Sequence, residues 1–320
     1  MIKTNIVVGV DVGGTNTELG FVTKEGECIN ETRFKTQDYS GPEKFFKHLV
    51  NCITVGYNKL KNDYNLIGIG IGAPNGNYYR KTIENPPNLK WGKTDVAKIL
   101  NAYFEIPIAV TNDANAAALG ELLFGAGKDM KDFIVITLGT GLGSGIVVNG
   151  QLIHGHDGIA GELGHTNYKS NGRLCKCGSR GCVETYASGS GIVRTALELR
   201  NKTSMSSRLK KIPVKLITSE LIYEEALAGD KIALKCFDLT GKALARMLAN
   251  AVAVTDPESI FLFGGLANAG DLVIEPTKKY FEQYLFSPYK NRVNILPSGL
   301  LNVNSAVLGA AALIWQDLKN

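Results

Sequence analysis

The chain has 320 residues, about two domains at roughly 150 residues each, and is long enough to bury a core without staples. Apolar residues make up 44% and charged residues 20%, which excludes extensive disorder. Thirty-five basic against 30 acidic residues leave a charge of +5 with no long run of one sign, so charge gives no reason to expect nucleic acid. No apolar run approaches the roughly 18 residues of a membrane helix.

The apolar start reaches only to Asp11, too short for a signal peptide, so a cytoplasmic protein is expected. Residues 6–10 read as a buried strand, followed by the turn Gly13-Gly14-Thr15-Asn16 and a second strand through 19–22. A helix over 42–61 opens at Pro42, with apolar residues at Phe45, Phe46, Leu49, Ile53 and Leu60. A strand over 66–72 ends in Ala73-Pro74-Asn75-Gly76. A helix is expected near 94–103, a strand over 106–111, and an alanine-rich helix over 113–124 capped by Asn112 or Asp113. The strand 133–138 precedes the turn 139–145, after which a strand starts at Ile146. Residues 151–191 read as irregular, 220–254 as helical, 259–263 as a strand ending at Gly264-Gly265, and 305–316 as a final helix.

The two glycine turns share a spacing. Gly14-Thr15 is followed by Gly20-Phe21-Val22, and Gly139-Thr140 by Gly145-Ile146-Val147. With strands on both sides, this predicts an internal duplication and two similar α/β lobes, closely joined because no low-complexity linker intervenes.

Close backbone approach is what phosphate binding requires, so Gly13, Gly14, Thr15 and Asn16 with Thr140 and Gly141 form two candidate walls around one triphosphate; the alternative is a pair of ordinary hairpins. No G-x-x-x-x-G-K-[ST] occurs, and a strand rather than a helix follows the second turn, which disfavours a P-loop and a dinucleotide fold. Asp11 against the first turn is either a turn cap or a ligand of Mg²⁺. Asp113 is either an N-cap or a base that takes a hydroxyl proton, with Asn112 beside it able to hold the same substrate. Gly264-Gly265 either admits a nucleoside or lets a helix approach a strand.

Six cysteines include three within eight residues. Cys175, Cys177 and Cys182, with His165, form a closed set of one imidazole and three thiolates, the donor set of structural zinc, although Cys-x-Cys is tighter than the usual spacing. Gly178 and Gly181 let the chain wrap an ion. Glu162 and Glu184, near these ligands and the turns, are candidates for reading sugar hydroxyls together with Asn112 and Asp113.

Together these residues resemble the ROK family of sugar kinases and sugar-responsive repressors over nearly the whole chain. The likeness runs through Asp11-Val12-Gly13-Gly14-Thr15, Asn112-Asp113-Ala114-Asn115, Leu138-Gly139-Thr140-Gly141, Gly161-Glu162-Leu163-Gly164-His165, the segment Cys175 to Glu184, and Asp256-Pro257-Glu258 before Gly264-Gly265. The resemblance implies an α/β fold of the actin-like (ribonuclease H-like) ATPase type: duplicated, two-lobed, with a zinc-binding loop and with ATP and a hexose in the cleft. The expected lobes are 1–112, with a C-terminal helix of about 305–320 packed back on it, and 113–304, carrying the zinc-binding insertion 161–184. It implies phosphorylation of the hexose 6-hydroxyl, glucose first, with Asp113 as base. Asn88, Asn112, Glu162, His165 and Glu184 would hold the sugar, Thr15, Thr140 and Gly141 the phosphates, and His165 also the zinc. ATP, Mg²⁺ and a structural Zn²⁺ are the expected cofactors, and a hexose the expected partner, with a homodimer by family habit and neither nucleic acid nor membrane. The family often has Gly-x-Pro-Gly where this chain has Gly72-Ala73-Pro74-Asn75-Gly76, which leaves the hexose open: N-acetylmannosamine, N-acetylglucosamine and other hexoses are alternatives. A non-catalytic sugar sensor of the repressor branch is a more distant one, because only ten residues precede Asp11 where repressors carry a DNA-binding segment.

Overall fold

A computed structural model describes residues 3–300 and 304–318. Residues 1–2 and 301–303 of the expected lobes, and 319–320 of the expected last helix, lie outside the described residues. In chain order the elements are β1 (Thr4–Val12), β2 (Asn16–Thr23), β3 (Cys28–Lys35), α1 (Pro42–Leu60), β4 (Tyr64–Gly72), β5 (Gly76–Asn77), β6 (Thr82–Glu84), β7 (Lys93–Asp95), α2 (Val96–Asn101), β8 (Ile108–Thr111) and α3 (Asp113–Phe124). They continue with β9 (Phe133–Leu138), β10 (Leu142–Val148), β11 (Gln151–Leu152), α4 (Gly189–Lys202), α5 (Ser219–Leu227), α6 (Lys231–Thr255), β12 (Ser259–Phe263), α7 (Asp271–Tyr284), β13 (Asn294–Pro297) and α8 (Ser305–Asp317). No helix among the described residues is long and apolar enough to cross a membrane.

The chain divides into two compact units. One comprises residues 1–130, 150–160 and 299–320, the other 131–149 and 161–298. In the first, the strand order is β3-β2-β1-β4-β8. β1 and β2 form an antiparallel hairpin, and β1–β4 and β4–β8 pair in parallel. In the second, β10-β9-β12-β13 repeats the plan: an antiparallel hairpin, then two parallel pairings. The order β2-β1-β4-β8 thus recurs strand for strand, which is the duplication expected from the spacing of the glycine turns.

Packing explains the sequence pattern. Residues 6–8, 10 and 12 of β1 are fully buried, and the parallel strands are accordingly continuous apolar runs. The apolar stripe of α1, with Phe45, Phe46, Leu49 and Ile53, covers the first sheet beside Trp91. α8 packs on β1, β4 and α3. It comes so close that a Cβ on Gly70 would stand 1.9 Å from the Ala310 carbonyl oxygen, and one on Gly309 would stand 2.4 Å from that of Ala116. Side chains at these points would lever the helix away, so glycine inside a strand marks backbone contact here, not a turn.

Several sequence expectations are corrected. The helix read over 220–254 is two helices, α5 and α6, broken at Gly229, whose φ of 80° no helix tolerates. The turn read over 139–145 ends at Leu142, because Gly143 and Gly145 pair with Thr137 and Val135 as part of β10. The helix expected near 94–103 is the short α2, preceded by β7 and capped by Asp95, which accepts from Lys98 N–H at 2.9 Å. The strand expected over 106–111 is confined to β8. The irregular stretch 151–191 holds two 3₁₀ turns, Leu163–His165 and Val183–Thr185, and the start of α4.

Candidate active site and metal centre

In the first unit the candidate residues gather at the carboxyl ends of β1 and β8. The turn after β1 is closed by Gly13 N–H donating to Asn16 O at 3.0 Å. A Cβ on Gly14 would meet Asn88 Cβ at 2.7 Å, so the turn and the exposed Asn88 are neighbours and only glycine fits between them. Asp11 faces Glu18 across the β1–β2 ladder. Burial, then the charges of Asp113 and Glu18, pushes the Asp11 carboxyl up to about 7. Crowded carboxylates of this kind are relieved by a proton or by a hard divalent cation, and an all-oxygen donor set suits Mg²⁺.

The open question at the start of α3 is resolved by geometry. Asn112 is the cap: its Oδ1 accepts from Asn115 N–H at 2.6 Å. Asp113 is the first helical residue, and its Oδ1 accepts from Ala114 N–H at 2.9 Å. The side chain can be reached by solvent, yet protein atoms crowd it. The resulting desolvation raises its pKa above the ordinary carboxylate value, opposed by the N–H groups of Ala114 and of Asp113 itself. A carboxylate released from capping and raised in basicity is suited to accept a proton.

Asn75 stands where the related loop pattern has glycine, and its φ is 56°, a left-handed conformation that Asn tolerates. Its side-chain amide donates to the carbonyls of Glu84 (3.0 Å) and Asn85 (3.2 Å), so the residue pins the segment leading to Asn88.

In the second unit Glu184 is the pivot. Its Oε2 accepts from Leu142 N–H at 2.9 Å, and its Oε1 lies 3.8 Å from Cys175 Sγ. A Cβ on Gly141 would stand 2.4 Å from that Oε2, so a larger residue in the turn would displace the Glu184 carboxylate. The turn is held further by Gly189 N–H to Gly139 O (2.8 Å) and Ser190 N–H to Thr140 O (3.3 Å). Ser144 Oγ donates to Gly161 O and accepts from Leu163 N–H, fixing the 3₁₀ turn that carries Glu162 and His165; the Glu162 carboxylate is 4.0 Å from His165 Nε2.

His165, Cys175, Cys177 and Cys182 come together, with one donor atom of each within 4.8 Å of all the others. The Cys177–Cys182 Sγ separation is 3.7 Å and His165 Nδ1–Cys175 Sγ is 3.8 Å. Tetrahedral zinc with Zn–S bonds of about 2.3 Å places sulfurs about 3.8 Å apart, which the Cys177–Cys182 pair matches, and the remaining donors are close enough for small side-chain shifts to complete the set. The tight Cys-x-Cys spacing is accommodated by a turn in which Gly178, at φ 92°, donates to Cys175 O at 3.1 Å.

Beside the second turn is a cavity of about 640 Å³. Gly139, Thr140, Gly189, Ser190, Gly265 and Leu266 line it, together with Thr218–Glu220 and Tyr223. Gly265 therefore belongs to the cavity wall. Gly264 is not among the residues that line it: at φ 101° it passes against Leu138 at the end of β9, whose carbonyl a Cβ would meet at 2.9 Å, a contact between strand ends and not the approach of a helix. Ser190, Thr218, Ser219, Glu220 and Tyr223 were not foreseen. The readable signal was Ser188-Gly189-Ser190-Gly191, in which Ser188 caps α4 by accepting from Gly191 N–H at 3.0 Å.

The family model described as ROK family matches residues 7–317. The chain belongs to the ROK family. Its fold is accordingly an actin-like ATPase α/β fold with two lobes. Among ROK relatives, a glucokinase of Halalkalibacterium halodurans is 36% identical over 318 residues, covering 97% of this chain and 95% of that protein. A glucokinase of Thermotoga maritima is 32% identical, with 98% of each chain covered. Among solved structures, a ROK family glucokinase from Streptomyces griseus in complex with glucose and AMPPNP aligns with a TM-score of 0.79 at 32% identity, covering 97% and 99% of the two chains.

Proposed function

We propose that this ROK protein is an ATP-dependent hexose kinase that phosphorylates the 6-hydroxyl, with glucose as substrate. The observation that carries the reading is the state of Asp113, whose capping duty is taken by Asn112 and whose basicity is raised where a hydroxyl proton must be accepted. The glucokinases among its relatives and a solved neighbour bound to glucose and AMPPNP support the same chemistry.

In this reading Asp113 takes the 6-hydroxyl proton as the sugar oxygen attacks the γ-phosphorus of ATP, the bond from that phosphorus to the β,γ-bridging oxygen breaks, and ADP leaves. Asn88, Asn112, Glu162, His165 and Glu184 orient the sugar hydroxyls. The backbone and hydroxyl groups of Gly13, Gly14, Thr15, Asn16, Thr140 and Gly141 approach the phosphates, and the cavity beside Thr140 and Gly265 receives the nucleoside. Asp11 would hold Mg²⁺, whose positive charge would offset the negative charge developing on the phosphates. His165, Cys175, Cys177 and Cys182 would hold a structural Zn²⁺ that fixes the Glu162–Glu184 region. Asn75 spends its side chain on backbone carbonyls, which supports an unaltered hexose site despite the departure in that loop.

The test is ADP release from ATP-Mg²⁺ with glucose, mannose, fructose, N-acetylglucosamine and N-acetylmannosamine. Glucose is expected to give the highest kcat/KM. Preference for an N-acetylated sugar would overturn the substrate, and sugar binding without turnover on any of them would overturn the enzyme.

A further inference from the structure

The second unit carries a cationic, aromatic-walled cavity separate from the residues discussed above. α6 and α7 pack so tightly that a Cβ on Gly241 would stand 2.6 Å from Pro276 Cβ. Next to that contact, two residues spaced i, i+4 on each helix face one another. Lys242 Nζ lies 5.5 Å from the Tyr280 ring centroid and Arg246 Cζ lies 5.1 Å from that of Tyr284. The two tyrosine rings are nearly parallel at 17°. Tyr168 and Lys169 come from the loop between His165 and Cys175, where both backbone N–H groups donate to Gly181 O. Tyr168, Lys169, Lys242, Arg246 and Tyr284 line about 290 Å³ of a cleft open to solvent, in which Lys169 and Arg246 are exposed.

The charge in this cavity is uncompensated. No carboxylate lines it. Among the described residues, none of Lys169, Lys242 and Arg246 forms an ion pair. Asp238, one turn before Lys242, is committed to Lys235 Nζ and to the Tyr280 hydroxyl. Like charges at i, i+4 on a helix repel weakly, and an anion between Lys242 and Arg246 would turn that repulsion into attraction. The Tyr168 hydroxyl, whose pKa burial raises above its ordinary value, is a hydrogen-bond donor.

We propose that this cavity binds a small phosphate monoester. The guanidinium of Arg246 would take the phosphate in a two-pronged hydrogen bond, Lys169 and Lys242 would add point charges, and the tyrosines would flank the organic part. The volume is at the lower end of the range for small-molecule sites, which favours a ligand the size of a phosphorylated sugar or polyol over a dinucleotide. Tyr168 and Lys169 follow His165 by three and four residues, so the ligand would brace the metal-binding loop. The proposal does not depend on the kinase reading.

The test is calorimetric titration of the full-length, metal-loaded protein with inorganic phosphate, glycerol 3-phosphate and glycerol. Glycerol 3-phosphate is expected to bind more tightly than phosphate, and glycerol not at all. The double substitution Lys242→Gln/Arg246→Gln should weaken binding by about tenfold or more, the loss expected for charge-assisted hydrogen bonds. Lys169→Gln, on an exposed loop position that leaves the helix seam intact, should weaken it measurably by itself, while Thr140→Ala should leave it unchanged. Absence of binding by both phosphates, or binding lost in Thr140→Ala and retained in the lysine and arginine variants, would overturn the proposal.

Discussion

Glu121 offers the sharpest test of how α3 is held. The side chain is 1% exposed and sits two turns after Asp113 on the same helix. Its Oε2 accepts from Ala126 N–H at 2.9 Å and its Oε1 from Gly299 N–H at 3.0 Å, so one carboxylate ties the chain leaving α3 to the chain approaching α8. Glu121→Ala leaves the N–H groups of Ala126 and Gly299, both on exposed residues, without that acceptor. Because both donors lie on exposed residues that water can reach, the low end of the ~1.5–3 kcal/mol for each hydrogen bond to a charged group applies and the loss is about 3 kcal/mol, from which the better helix propensity of alanine returns only a few tenths. Glu121→Gln keeps the shape and one acceptor oxygen but turns an NH₂ toward the other donor, so about half the loss is expected. Against a typical total stability of about 5–15 kcal/mol these are large effects. Urea unfolding followed by circular dichroism reads them directly. A loss below about 1 kcal/mol for Glu121→Ala, or equal losses for Ala and Gln, would refute the assignment of two separate bonds to the two oxygens.

Other predictions address the chemistry. Asp113→Asn should keep sugar binding by calorimetry while lowering kcat by about 10²-fold or more, and retained turnover in ADP release would remove Asp113 as the base. Asp11 binds its proton more tightly folded than unfolded, so between about pH 4 and pH 7 the native state holds the extra proton and stability falls as pH rises through that window. Melting temperatures across that range should therefore decline more steeply for the native sequence than for Asp11→Asn, and millimolar Mg²⁺ should reduce the difference; parallel curves would count against the raised carboxyl. For the cysteine cluster, one zinc per chain is expected in chelator-free protein, and Cys177→Ser, at an exposed position, should lower metal content and melting temperature together. Native protein free of zinc would sink that reading.

The legible parts of this molecule were those where one physical signal dominated. The β1 run Ile-Val-Val-Gly-Val is buried on both faces and reads as a strand without further help. The cysteine cluster was legible because three thiols and a histidine in one short segment have few other uses. Elements that escaped notice carry conflicting signals. β3, Cys28–Lys35, is mixed with charged residues because much of it is open to solvent. α4 begins in Gly-Ser-Gly, a loop composition redeemed only by the Ser188 cap. α7 contains Pro276, which reads as a breaker although the helix passes through it. Asn112 and Asp113 were indistinguishable as caps in sequence, since both residue types favour that position and only the Asn112–Asn115 bond separates them. Thr218, Ser219, Glu220 and Tyr223 of the cavity wall are polar side chains at a helix start and carry no local pattern that announces a ligand.

The close seating of α8 on β1 and β4 bears on how the protein is made. A ribosome delivers residues 3–130 first, but the compact unit they belong to also draws on residues 150–160 and on the segment beginning at 299. Gly9 and Gly70 present bare backbone to Val307 and Ala310, which emerge near the end of synthesis. Residues 161–298, with 131–149, supply the whole of the other unit earlier. The first part of the chain to appear is therefore the last to reach its final packing, and it waits with an apolar sheet face uncovered. Ribosome-bound fragments that stop short of residue 304 should be the aggregation-prone and protease-sensitive ones, with damage concentrated in the amino-terminal strands.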